Sequence, residues 1–226
     1  MRMLIVNADD FGGSSGINRG IIESHCTGVV TSTSLMVDMP AAIEAAALTR
    51  AHATLDVGLH VQLTDERYNF LVDVDSPKAC RREIRRQFDR CCALLQRAPT
   101  HLDSHHNIHR DPRLLPHFLE LASDYRIPLR MYCGVRHFGD FYGQWDDGQS
   151  HPEWISAANF ISLVQAEVGD TPTEFSCHPG YVDDGLDSDY GVEREVEVQT
   201  LCDPSVRRQL AELNVRLMRF SDIVTV

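Results

Sequence analysis

Short apolar segments alternate with longer helical patterns about seven times along the chain, and this alternation limits the possible folds more than any other feature. The seven strand candidates are residues 3–6, 31–37, 57–63, 101–107, 128–132, 174–177 and 215–220. Nearly continuous apolar strands separated by helices are typical of a parallel sheet covered by helices. From the residues alone, a barrel and an open doubly wound sheet both fit.

Polar side chains lie on or just after five of these strands. In parallel α/β folds, ligands bind at the carboxyl ends of the strands, so we expect these side chains to meet at one site. The residues are Asp9 and Asp10 after the first strand, His60 late in the third, His101, Asp103, His105, Asn107 and His109 along the fourth, Arg130 on the fifth and His178 after the sixth.

The fourth strand candidate carries an unusual row of polar residues. Residues 101, 103, 105, 107 and 109 would share one face if the chain stayed extended, because side chains alternate across a strand. Any one histidine in this row is as readily a hydrogen-bonded core residue as a ligand. The row together with the acidic residues at the other strand ends favours a metal ion, the commonest shared partner of imidazole and carboxylate groups.

Asp9 and Asp10 are adjacent, and an Asp-Asp pair after a strand is by itself more often a helix cap or a turn. The functional interpretation is that neighbouring side chains point in different directions. One carboxylate could then bind a metal while the other acts as a base in hydrolysis. His178 precedes Pro179 and Gly180, so it is either a turn residue or the group that gives a proton to a leaving amine.

Charge and composition exclude several partners. The chain has 21 Lys and Arg against 33 Asp and Glu, a net charge of −12, which disfavours nucleic acid and anionic membranes. No segment reaches the roughly eighteen continuous apolar residues of a membrane helix. Seven cysteines without a Cys-x-x-Cys pair indicate reduced thiols. We therefore expect one cytoplasmic domain spanning residues 1–226, without a signal peptide, and leave open whether it forms a homodimer.

Four blocks of the sequence resemble the signature blocks of the YdjC-like carbohydrate deacetylases, the group that contains chitooligosaccharide deacetylases and the deacetylase of hopanoid biosynthesis. The blocks are NADDFG at 7–12, GLH at 58–60, THLDSHH at 100–106 and CHPGY at 177–181. They occur in the family's order and span nearly the whole chain.

The resemblance implies a TIM-like (β/α) barrel, complete or incomplete, of about seven parallel strands. It also implies one divalent cation, Mg²⁺ or Zn²⁺, and hydrolysis of an N-acetylated sugar to acetate and a free amine. Carried over by position, the metal ligands are Asp10, His60 and His105, the general base is Asp9, and the acid or oxyanion partner is His178. Arg130 would orient Asp9 or contact the sugar.

One position departs from the family pattern. The family usually has a third consecutive histidine where this chain has Asn107, which can hydrogen-bond a substrate but cannot exchange protons near neutrality. His109 is a further candidate substrate contact. Residues 64–77 and 134–152 are predicted long loops of the kind that cover a site. The second loop contains Trp145, a candidate platform for a sugar ring.

Two other functions fit the same residues. A metallo-phosphoesterase would need additional cations near the metal, for which Arg110, Arg113 and Arg130 are the candidates. A non-catalytic sugar-binding module would have no need of a spare carboxylate beside a metal.

Overall fold

Strands and helices alternate along residues 1–145, 148–183 and 188–223, which this computed structural model describes. The strands are β1 Arg2–Phe11, β2 Ser32–Leu35, β3 Asp56–Val61, β4 Leu102–Ser104, β5 Arg136–Phe138, β6 Thr173–Cys177 and β7 Val215–Leu217. The α-helices are α1 Ser15–Cys26, α2 Ala42–Ala51, α3 Pro77–Leu95, α4 Leu115–Tyr125, α5 Ala157–Glu167, α6 Val192–Cys202 and α7 Pro204–Glu212. Short 3₁₀ helices occupy His105–Arg110, Pro152–Ile155 and Phe220–Asp222.

All strand pairs of the sheet are parallel, in the order β4-β3-β2-β1-β6-β5, with β7 paired to the start of β1. The two faces of β1 differ because side chains alternate along a strand. Leu4, Val6 and Ala8 join the main hydrophobic core, whereas Asn7 and Asp9 share the opposite face, where they hydrogen-bond to each other. The face of β1 opposite the main hydrophobic core therefore carries polar side chains.

The chain between β4 and β5 joins the two edges of this sheet. Leu102 N donates to Pro128 O at 2.8 Å, and Arg130 N donates to Leu102 O at 2.9 Å, so this segment runs beside β4. A few residues later β5 pairs with β6 at the other edge. The parallel strands with their helices thus form a half-barrel, which confirms the predicted fold class.

The fifth predicted strand is placed wrongly. Residues 128–132 form a single parallel bridge, between Leu102 and Leu129, and the strand proper is Arg136–Phe138. Arg130 nevertheless lies beside β4, where its side chain enters the inside of the half-barrel.

The prediction of an extended polar row on the fourth strand is also wrong. β4 ends at Ser104, and His105 begins a 3₁₀ helix. His106 and Asn107 have left-handed backbones, with φ of 56° and 52°, which end the alternation of side chains. Residues 105, 107 and 109 consequently do not share a face.

Among the described residues, no helix combines the length and the apolar character that crossing a membrane requires.

Candidate metal centre and active site

Asp10, His60 and His105 converge where β1, β3 and β4 end. Asp10 Oδ1 lies 3.5 Å from His60 Nε2 and 3.4 Å from His105 Nδ1. One ligand atom from each residue lies within 4.8 Å of the other two. Asp10 Oδ1 is buried and accepts no hydrogen bond. A buried carboxylate oxygen facing two imidazole nitrogens, all beyond ordinary hydrogen-bond distance, fits a divalent cation.

Neighbouring residues hold two of these side chains, His60 and Asp10, in the orientation that a ligand needs. Asp103 Oδ1 lies 2.7 Å from His60 Nδ1, which leaves Nε2 facing Asp10. Arg194 on α6 donates to Asp10 Oδ2 at 2.7 Å, which leaves Oδ1 facing the imidazoles. A carboxylate on the far nitrogen of a ligating histidine fixes its tautomer and makes the ring a better ligand.

A left-handed backbone at Asp10, with φ of 67°, separates the two neighbouring aspartates. The pairing of β1 with β2 also shifts register between Ala8 and Phe11. A left-handed conformation is less favourable for aspartate than for glycine, and residues in such sparsely populated conformations are concentrated at functional sites. Because of this turn, the Asp9 carboxylate bonds to Arg130 while the Asp10 carboxylate bonds to Arg194.

The electrostatics favour positive charge between the imidazoles. Burial alone would lower the pKa of His105, but its contacts with Asp10 and Glu66 raise the pKa to about 10. The pKa of His60 is also raised, because the charges of Asp103, Asp9 and Asp10 and the hydrogen bond with Asp103 together outweigh burial. A cation at this position would take over the stabilising role of those protons.

Asp9 is buried and held by a bidentate ion pair. Arg130 donates from NH2 to Asp9 Oδ1 at 2.7 Å and from NH1 to Oδ2 at 2.8 Å, while Asn7 Nδ2 donates to Oδ1 at 2.7 Å. Burial would raise the pKa of Asp9, but the charges of Arg130 and His60 and the hydrogen bonds from Arg130 together outweigh it and keep the pKa below its ordinary value. Asp9 is therefore ionised at neutral pH, and Oδ2 keeps a lone pair free to accept a proton.

Arg130 contacts three buried carboxylates. Besides Asp9, its Nε donates to Glu174 Oε1 at 2.8 Å, and its NH2 lies 3.0 Å from Asp103 Oδ2. The Arg130 side chain is 0% exposed. Two roles were expected for Arg130, orienting Asp9 or contacting the sugar. Its contacts with Asp9 fit the first role. Its buried guanidinium has no exposed surface for the second.

His178 lies at the end of β6 with its Nδ1 buried and without a hydrogen-bond partner. Its backbone N–H donates to Glu197 on α6 at 2.5 Å, and its ring packs edge-on against Tyr142 and Tyr190. Burial lowers the pKa of His178 to about 4 in spite of the nearby charge of Asp10. The imidazole is therefore neutral near pH 7 and carries one N–H.

The family model for YdjC-like proteins matches residues 3–212. The chain belongs to the YdjC-like family. It is 39% identical to a carbohydrate deacetylase of Geobacillus stearothermophilus over 254 residues, covering 98% of each chain. It is 35% identical to a chitooligosaccharide deacetylase of Serratia marcescens over 260 residues, covering 98% of this chain and 99% of the relative.

A solved structure shows the same fold along the full chain. The crystal structure of an Enterococcus faecalis protein, named for cellobiose-phosphate cleavage, superposes with a TM-score of 0.83 at 28% identity and covers 99% of both chains. The half-barrel described above is thus shared with a solved structure over nearly its whole length.

The three candidate substrate contacts of this YdjC-like chain lie in different surroundings. Asn107 is half-buried, and its Oδ1 lies 3.4 Å from Arg130 NH1. His109 is 0% exposed, with Nδ1 2.7 Å from Ser104 Oγ and its ring beside Phe118, as in a core residue. Trp145 is 51% exposed and packs on His151 and Trp154, within its own loop region. A substrate contact at Trp145 stays a prediction.

Several residues that shape the site were not assigned a role from the sequence. Asp103 was visible in the polar row, but its contact with His60 is a tertiary feature. Arg194 and Glu197 lie in a charged helical pattern that gives no sign of burial. Glu174 lies between Thr173 and Phe175 on β6. A second usable signal is Glu174, a charged residue that begins the predicted strand 174–177.

Glu174 supplies a test of the buried charges through the pH dependence of stability. Burial raises the pKa of Glu174 from 4.5 to about 7 although Arg130 opposes this. A carboxyl with a raised folded-state pKa favours folding fully below its unfolded pKa, and that contribution is lost as the pH rises through the folded value. Between pH 5 and pH 8 we expect the free energy of unfolding of the wild type to fall by about 2 kcal/mol relative to that of Glu174→Gln. Urea unfolding of both proteins at the two pH values measures this. An equal difference at both pH values would contradict this.

Proposed function

We propose that the chain, as one domain spanning residues 1–226, is a metal-dependent hydrolase that removes the N-acetyl group from an N-acetylglucosamine-containing sugar or oligosaccharide and releases acetate. One observation carries the proposal: the buried Asp9 carboxylate pairs with Arg130 and directly precedes Asp10, whose ligand atom converges with those of His60 and His105. The names of the curated relatives, carbohydrate and chitooligosaccharide deacetylases, support this choice of substrate.

Asp10, His60 and His105 would hold one divalent cation. Two imidazoles and one carboxylate suit Zn²⁺, and carboxylate ligation with water also admits Mg²⁺. When bound, the cation supplies Lewis-acid polarisation of the acetyl carbonyl and lowers the pKa of water.

Asp9 acts as the general base. Its Oδ2 takes a proton from the attacking water as the water oxygen bonds to the acetyl carbon. The C–N bond then breaks, and the proton is delivered to the departing nitrogen, so that the products are acetate and a free amine. Arg130 and Asn7 fix the direction of the Asp9 lone pair during this transfer.

His178 donates a hydrogen bond to the reacting group. Because its pKa is about 4, the ring is neutral at pH 7, and its single N–H can stabilise the developing oxyanion or guide the proton to the amine. The hydrogen bond from the His178 backbone N–H to Glu197 fixes the main chain, and packing on Tyr190 holds the imidazole.

A phosphoesterase on the same ligands is less well supported by the contacts of the site. Arg130 and Arg194 already pair with buried carboxylates, and Arg113 pairs at the surface with Asp111 and Asp75. A binding module without turnover leaves unexplained why Asp9 is kept ionised in a buried position beside a metal site.

Acetate release distinguishes these functions. N-acetylglucosamine and its oligomers should yield acetate, the yield should stop with a chelator, and it should return when Mg²⁺ or Zn²⁺ is added back. Sugar phosphates tested in parallel should yield no phosphate. Phosphate release without acetate would favour the phosphoesterase, and saccharide binding without either product would favour the binding module.

A further inference from the structure

A hairpin after β3 places an exposed aromatic ring next to the candidate metal centre. Thr64 and Phe70 form an antiparallel bridge, and Asp65 N donates to Asn69 O at 3.0 Å. The turn closes with Tyr68 N donating to Asp65 O at 3.0 Å. Tyr68 is 69% exposed although the hairpin that carries it is held by several hydrogen bonds.

The backbone at Tyr68 has a φ of 63°, in the left-handed region. Glycine or asparagine is favoured at such a hairpin position, and tyrosine is not. The Asp65 carboxylate stabilises the turn, since its Oδ1 accepts from Arg67 N at 2.9 Å and from Asn69 N at 2.8 Å. Neither the turn nor core packing requires an aromatic residue here, so the ring calls for another explanation.

The hairpin is fitted against the histidines that follow β4. The Tyr68 ring stacks on His106 at 3.8 Å between centroids, with an angle of 17° between the planes. His106 in turn lies 3.9 Å from the ring of His105, and its Nδ1 is 3.0 Å from Thr64 Oγ1. Glu66 Oε1 is 3.4 Å from His105 Nε2. The Tyr68 ring is therefore connected to the His105 ring through His106, which contacts both.

A second aromatic residue borders the site from the other long loop. Tyr142 stacks on Tyr190 at 4.4 Å and packs edge-on against His178. Burial raises the pKa of Tyr142 to about 12. The two loops predicted to cover a site thus each bring a tyrosine to it.

We propose that Tyr68, backed by His106, is a stacking platform for a second sugar ring of the substrate, next to the ring that carries the reacting acetamide. The platform lies beside the ligand His105 and not on it, so it suits a neighbouring ring of an oligosaccharide. The flat apolar face of a pyranose is complementary to an exposed aromatic ring. This inference rests on the proposed function, and it predicts a preference for oligosaccharides over the monosaccharide.

The test compares Tyr68→Asn with Tyr68→Phe. The first removes the ring but suits the left-handed backbone, so the hairpin is expected to keep its conformation; the second keeps the ring and loses only the hydroxyl. The affinity for the β-linked dimer of N-acetylglucosamine, measured by calorimetry on chelator-treated protein, should fall about 3- to 10-fold in Tyr68→Asn. It should stay within about twofold in Tyr68→Phe. The KM for acetate release from the dimer should rise by the same factor.

Dimer binding tests the Tyr68 platform, and acetate release tests the deacetylase function, so the two hypotheses can fail separately. Wild-type protein that binds the dimer more tightly than Tyr68→Asn but releases no acetate would refute the deacetylase function and keep the platform. Equal dimer affinity of wild type and Tyr68→Asn, or no binding by either, would overturn the platform. A loss of affinity in Tyr68→Asn that is as large for the monomer as for the dimer would also overturn it, because the ring would then not serve a second sugar.

Discussion

Asp9→Asn is expected to lower kcat about 10²- to 10⁴-fold, the usual contribution of a general base. Asparagine keeps the shape of the side chain and can still accept from Arg130, but its amide cannot take a proton from water. The metal ligands Asp10, His60 and His105 are untouched, so metal content should match that of the wild type. The rate of acetate release at saturating substrate and metal measures this effect.

The matched control is Asp111→Asn, which changes a carboxylate that pairs with Arg113 outside the site. Its kcat should stay within about twofold of the wild type. A kcat for Asp9→Asn that remains within about threefold of the wild type would show that another group takes the proton.

Arg130→Met should lower the free energy of unfolding by about 3–5 kcal/mol. Arg130 is fully buried and pairs with Asp9 and Asp103, both of which have pKa values below the ordinary range. Removing the guanidinium leaves these carboxylates buried without their counter-charge. Since a small domain has a total stability of roughly 5–15 kcal/mol, this is a large fraction of it. Urea unfolding at pH 7 measures the loss.

Arg113→Met is the control for Arg130→Met, because Arg113 is exposed and pairs at the surface with Asp111 and Asp75. Arg113→Met should lower the free energy of unfolding by less than about 1 kcal/mol. The loss in Arg130→Met should also shrink at lower pH, where the buried carboxyls can take up protons and no longer need the counter-charge. A cost equal to that of Arg113→Met would refute the role of Arg130 as the central counter-charge.

The sequence was sufficient to predict the residues at the strand ends. The alternation of strands and helices predicts a parallel sheet whose carboxyl ends lie at one edge, and Asp10, His60 and His105 do lie close together there. Their role as metal ligands, which the family resemblance implies, stays a prediction. The different directions of Asp9 and Asp10 were also predictable, because the side chains of adjacent residues in a strand point to opposite faces.

The contacts that orient these residues were not predictable. Arg194 reaches Asp10 across 184 positions of the chain, a separation for which a single sequence gives no signal. Asparagine tolerates a left-handed backbone, but no glycine at residues 106–107 marks the turn, so residues 101–107 were predicted as one extended strand. The strand at Arg136–Phe138 is short and partly exposed, and its apolar pattern is weaker than that of residues 128–132.

The most direct test of the central claim measures metal content and acetate release for Asp9→Asn and Asp10→Asn across a titration with Zn²⁺ and with Mg²⁺. Asp10→Asn should bind metal more weakly and recover part of its activity at high metal concentration, because a neutral amide oxygen is a poorer ligand than a carboxylate. Asp9→Asn should bind metal as the wild type does and stay slow at every concentration. If Asp9→Asn loses the metal while Asp10→Asn keeps it, the assignment of ligand and base is reversed and the account is wrong.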